Sequence, residues 1–204
     1  MYSKLPNLVL AFHGCDKSTH DAVLYGGKDL RPSRNDYDWL GWGVYFWEQN
    51  YERALSWANE QASRGFVRVP AVIGAVVDLG YCLNLTDSRY IELLTTGYQL
   101  MEAELASAGV CMPTNDGKTG DKLFRRRDCA VIEHLHSRIE RARREDGIGF
   151  TPFDSARGLF SEGDPIYEGA GFKQKTHVQI CVRNPNCIKG YFEPREPDSR
   201  WRMP

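Results

Sequence analysis

The period of apolar and polar positions changes repeatedly along the chain, and each change marks an element. Residues 7–13, Asn-Leu-Val-Leu-Ala-Phe-His, form an apolar run that predicts a first strand, stopped at Gly14. Residues 15–40 are polar and rich in Asp, Gly, Ser and Pro, and predict a loop. Residues 44–47 predict a short aromatic strand just after Gly41 and Gly43. Asn50 suits a helix cap, and Tyr51, Ala54, Ala58 and Ala62 recur at helical spacing towards Arg64, before Gly65. Residues 69–79 read as a buried strand. A helix is predicted from Asp87 or Ser88, with Ile91, Leu94, Tyr98, Met101 and Leu105 on one face and Gly109 just past its end. A polar loop over 110–122 follows. A third helix over 128–145 places Val131, Leu135 and Ile139 on one side. Strands return at 153–160, 176–182 and 187–192.

This order lacks regular βαβ alternation. It predicts an α+β fold with mainly antiparallel pairing. A length of 204 residues suits a single domain over 1–204. Apolar residues at 42% and charged residues at 26% argue against general disorder. The 26 basic and 27 acidic side chains nearly cancel, which excludes a chain whose main task is coating nucleic acid but leaves room for a local basic patch. No stretch is apolar enough to span a bilayer, and the first ten residues lack the plan of a secretory signal, so a cytoplasmic location is expected. The six cysteines are scattered and read as free, mostly buried thiols. His134 and His136 fall on different helix faces, so no metal site is expected.

Three segments carry candidate chemistry. They are Phe12-His13-Gly14 at a strand end, Gly41-Trp42-Gly43-Val44-Tyr45-Phe46 before a helix, and the strand His177-Val178-Gln179-Ile180-Cys181-Val182. Gly14 lets a ligand approach main chain whose N–H and C=O can pair with a planar amide. Tyr45 can stack on a flat ring. Strand parity sets Tyr45 and Trp47 opposite to Val44 and Phe46. It also sets His177, Gln179 and Cys181 opposite to an apolar face of Val178, Ile180 and Val182, so Gln179 looks into a cleft from mid-strand. The plain alternatives are a core histidine, a core tyrosine and a solvent-facing glutamine.

The constellation resembles the ADP-ribosyltransferases of the poly(ADP-ribose) polymerase and diphtheria-toxin type. Their signature is a His-Gly on the first strand, a Gly-x-Gly-x-Tyr-Phe strand before a helix, and a glutamate on a late strand. Residues 71–80 also look like that family's next strand and exit turn. The resemblance implies two mainly antiparallel sheets forming an NAD cleft, with flanking helices. It implies that His13 bonds a ribose hydroxyl of NAD, that Gly14 pairs with the nicotinamide amide, and that Tyr45 stacks on its ring. Arg31 and Ser33 fall where the family contacts the rest of the dinucleotide. Trp57 falls near a second aromatic wall, one residue out of register.

Gln179 stands where the family has its glutamate. An amide can hold a hydroxyl but cannot act as a general base. Single transfers of ADP-ribose from NAD to a protein or nucleic-acid acceptor are therefore expected, rather than chain elongation. Glu162 or Glu168 is an alternative carboxylate, and a catalytically inactive NAD-binding or interaction module is the alternative function. Arg157 suits either a phosphate or a salt bridge. Arg125, Arg126, Arg127, Arg138, Arg141, Arg143 and Arg144 form the one basic concentration, read as a solvated helix face or as a nucleic-acid or acidic-partner contact.

Overall fold

The computed structural model describes residues 8–117, 123–145, 151–196 and 198–202. In chain order its elements are β1 (Leu8–Asp16), α1 (Lys17–Leu24), β2 (Val44–Glu48), α2 (Tyr51–Ser63), β3 (Pro70–Asp78), β4 (Cys82–Asn84), α3 (Ser88–Ser107), β5 (Asn115–Asp116), β6 (Phe124–Arg125), α4 (Arg126–Glu145), β7 (Ser155–Phe160), β8 (His177–Val182) and β9 (Ile188–Phe192). The fold is α+β, with antiparallel pairing throughout except between β4 and β7. No helix among the described residues is long and apolar enough to cross a membrane.

One seven-stranded sheet, in the order β4-β7-β8-β2-β1-β3-β9, replaces the two sheets expected; a small β5–β6 ribbon stands apart. The sheet is continuous because β8 pairs along both its edges, with Cys181 opposite Tyr45 on one side and Ala156 on the other. A seam remains within it. β1 and β2 share only two register pairs, Ala11↔Glu48 and Phe12↔Trp47, whereas β1 and β3 pair from Leu8↔Asp78 to Asp16↔Pro70. That long ladder carries β1 past Gly14, where the sequence predicts a stop. The predicted start, Asn7, lies outside the described residues, as do residues 118–122 of the predicted 110–122 loop.

Three short elements are unexpected. Helix α1 occupies part of the predicted 15–40 loop. Asp16 caps it, its Oδ1 accepting from the Ser18 N–H at 2.9 Å, and His20 and Val23 are buried beneath it. β4 and the β5–β6 ribbon are only three and two residues long. The ribbon is fastened to α4 by Asn115, whose Oδ1 accepts from the Arg127 and Asp128 N–H groups and whose Nδ2 donates to the Asp128 carboxylate.

Register sorts the side chains onto two sheet faces. One face presents Ala11, Cys15, Val44, Phe46, Ile73, Ala75, Val77, Ile180 and Val182, packed with Val23 of α1 and Leu30 of the following loop. The other takes α2 through Ala54 against Trp47 and Val72. It takes α4 through Ile132 and Leu135 against Leu83, Ala156 and Cys181, with Tyr90, Leu93 and Leu94 of α3 packed alongside. At the sheet's rims, β4 is short, and the pairing of β9 with β3 slips in register at Val76/Val77.

Candidate functional site

The seam between β1 and β2 is where the structure becomes unusual. The Gln49 N–H donates to the Leu10 carbonyl at 2.9 Å, and the Lys17 N–H donates to Val69 at 2.8 Å. Antiparallel alternation therefore turns even-numbered β1 residues towards β2 and odd-numbered ones towards β3. Extending the Phe12↔Trp47 register sets the Gly14 main chain opposite Tyr45, two residues beyond the end of the ladder. The strands have parted there. His13 fills part of the gap, its Nδ1–H donating to the Tyr45 carbonyl at 2.7 Å. That bond fixes the tautomer, so Nε2 is the unprotonated nitrogen and accepts from a hydroxyl. Burial holds the His13 pKa below its ordinary value, with the carbonyl bond partly opposing, so the ring is neutral near pH 7.

The same register separates two predicted site residues. His13 lies on the face of Phe46, with ring centroids 5.9 Å apart, while Tyr45 lies on the opposite face against the α4 core. The Tyr45 hydroxyl accepts from the Leu40 N–H at 3.0 Å and donates to the Gly41 carbonyl at 2.8 Å. Burial raises its pKa well above the ordinary phenol value, with Cys181 and Asp38 adding to the effect. The phenol thus closes its own glycine loop. Gly41 sits at φ +80°, and a Cβ at Gly43 would strike the Val182 carbonyl. The glycine–tyrosine motif accordingly has a complete structural role, and the phenol and the imidazole do not bound one cavity together.

Gln179 shares the Tyr45 face, opposite Trp47 and Gly158. Its Oε1 accepts from Trp39 Nε1–H at 2.5 Å, and the Trp39 ring lies close over Gly158. Trp57 is brought to the seam: a Cβ built on Gly14 would lie 3.3 Å from its Cε3. Ser33 binds β2 through its main chain, exchanging hydrogen bonds with Gly43 at 2.8 and 3.2 Å, while Arg31 is exposed. Glu168 is exposed, whereas Glu162 is largely buried beside Arg53 at 3.1 Å and Lys175 at 3.8 Å. Arg157 takes the salt-bridge alternative, gripping Glu48 through Nε at 2.5 Å and Nη2 at 2.9 Å.

Sequence reasoning missed a buried polar group beside Gln179. Arg53, 8% exposed, lies 5.8 Å over the Trp47 ring. His177 lies 6.2 Å from the same ring, and its Nδ1–H donates to the Lys175 carbonyl at 2.6 Å. Trp47 Nε1, Arg53 Nε and His177 Nε2 are buried without hydrogen-bond partners among the described residues. Burial lowers the His177 pKa, keeping Nε2 an acceptor. The parity of 177 and 179 was visible in the sequence; Arg53 gave no signal, since it looks like any helix arginine.

No protein-family profile and no solved structure matches the chain. It is similar to an uncharacterized protein of Methanocaldococcus jannaschii, with 26% identity over 196 residues, covering 87% of this chain and 83% of that one.

Proposed function

We propose that this protein binds NAD at the β1–β2 seam and transfers single ADP-ribose units to a macromolecular acceptor, on an ADP-ribosyltransferase-like fold. One observation supports the reading above the others. The ladder ends two residues before Gly14, so a strand edge able to pair with a carboxamide lies beside a neutral imidazole with an acceptor nitrogen. In this reading Tyr45 is a structural support of the seam rather than the stacking partner, and Trp57 backs Gly14 from the α2 side, the sheet face away from His13. Arg31 and Ser33 would stand near the remainder of the dinucleotide.

In the transfer, the bond between the ribose C1′ and the nicotinamide nitrogen breaks. Its electron pair stays on nicotinamide and neutralises the ring. The acceptor's nucleophilic atom bonds to C1′ and releases its proton to water. The transition state is oxocarbenium-like, so orientation and electrostatics supply most of the rate. Gln179 can position a hydroxyl through its amide, but cannot take a proton.

The expected results are NAD binding by calorimetry, loss of that binding in His13→Ala, and release of nicotinamide with label transfer from labelled NAD into a lysate. Absence of both binding and release from folded protein overturns the proposal. The engagement of Gln179 Oε1 by Trp39 favours a second reading, a binding module without turnover. NAD affinity with no nicotinamide release selects it.

A further inference from the structure

Cavities open on the described surface away from the seam. One of 860 Å³ lies where the start of β2, the end of β8 and α4 meet. A neighbour of 470 Å³ shares Trp42, His136, Glu140 and Arg183 with it, so the two form one trough along the C-terminal half of α4. Their combined size exceeds what one small ligand fills.

The trough has a flat apolar surface. Trp42 is 42% exposed, and its orientation is fixed by Nε1–H donating to the Asn35 carbonyl at 3.2 Å and by its main-chain N–H on Glu133 at 2.8 Å. The trough also has uncommitted positive charge. Arg34, Arg141, Arg143, Arg144 and Arg183 line it, with Glu133, Glu140, Glu145 and Asp154. Most of those carboxylates are already engaged. Glu133 is held by Arg183, and Glu140 by Arg144 at 3.2 Å. Asp154 accepts from Asn184 Nδ2 at 2.7 Å and from the Tyr81 N–H at 2.9 Å. The guanidinium groups of Arg34, Arg141 and Arg143 have no partner among the described residues, leaving three free cations against Glu145.

We infer that this trough binds single-stranded nucleic acid, with a base stacked on Trp42 and backbone phosphates on Arg34, Arg141 and Arg143. A preset aromatic face beside fork-shaped cations is the combination that such strands use, and it tolerates any base because each presents a π-face. The near-zero net charge of the chain fits a local contact rather than a coating function. The inference does not rest on NAD binding.

The test is fluorescence anisotropy with a labelled oligothymidylate and a labelled oligouridylate of about 12 nucleotides. At about 50 mM salt, binding of at least one is expected, and two fewer phosphate contacts in Arg34→Ala/Arg143→Ala should flatten the log–log salt slope by about 1.4. Trp42→Ala should weaken binding about tenfold. All three positions are exposed, so folding is preserved, and Arg200→Ala, which lines neither cavity, serves as a control. No binding at low salt overturns the inference. So does binding that Trp42→Ala and the double variant leave unchanged, or equal competition by polyglutamate, which would show a response to charge alone.

Discussion

Gly14→Ala tests how the seam is held together. A Cβ at Gly14 would fall on the Ala54 carbonyl oxygen, well inside the 3.0 Å that real Cβ atoms keep, and 3.3 Å from the Trp57 ring. The obstacle is backbone in the first turns of α2, so no rotamer change relieves it. Either α2 rides up from the sheet or β1 twists at the seam. Overpacking of this kind costs about 1–3 kcal/mol. For a domain of this size that corresponds to a fall in Tm of about 2–12 °C. Gly190→Ala is the matched control: it also lies in a strand, yet a Cβ there meets nothing within 4 Å. It should be neutral or slightly stabilising, since glycine is a poor strand residue. Urea unfolding of the two variants beside the parent protein measures both effects. Equal stability of Gly14→Ala and the parent would refute the claim that α2 packs against bare main chain.

Tyr45→Phe leaves the Leu40 N–H without its phenol acceptor, so thermal unfolding should show a loss of about 1–2 kcal/mol; no loss would mean the hydroxyl does not fasten the glycine loop. Burial, reinforced by Arg183, holds His136 down to about 3, while the unfolded chain takes up that proton near 6.5. Between those values the unfolded state binds more protons, so stability is full above 6.5 and falls as pH drops, by about 3 kcal/mol at about pH 4. His13 and His177 act in the same direction. Urea midpoints of His136→Phe should depend less on acid than those of the parent, and an identical dependence would refute the assignment. Cys111 is exposed, while burial pushes Cys15, Cys82 and Cys187 up to about 11 and Cys129 up to about 12. One thiol should therefore react quickly with a disulfide reagent at about pH 8, and the others only on unfolding.

Much of the architecture could be read from local pattern. The long apolar runs of β1 and β3 and the helical spacing of α2 and α3 follow directly from periodicity. Helix α1 was hidden because its cap, Asp16, is also the last residue of a strand, leaving no break between the two periods. β4 is too short to show any period. The site was legible strand by strand and not between strands. Parity within β2 correctly grouped Tyr45 with Trp47, and parity within β8 grouped Gln179 with His177. Neither says how β1 is phased against β2. That phase is set by Phe12↔Trp47, and it turns His13 to the opposite face from Tyr45 and Gln179. The Gly-x-Gly spacing was visible in the sequence, but its steric cause, Glu133 against Gly41 and the Val182 carbonyl against Gly43, lies in residues distant in sequence.

The two rims of the sheet bear on how the molecule behaves when crowded. On one rim the edge strand is only three residues long, Cys82 to Asn84, all of them buried, and the Asn84 carbonyl is already taken by the Asp87 N–H. On the other, the slipped register at Val76/Val77 distorts the strand, Lys189 places a charge on it, and Pro194 stands two residues past its end. A second chain seeking to extend either rim by strand addition meets a template that is too short or bent and charged. Self-association through the sheet is thereby disfavoured, and concentrated protein should resist conversion to fibrils even though the sheet's central strands are rich in valine and isoleucine.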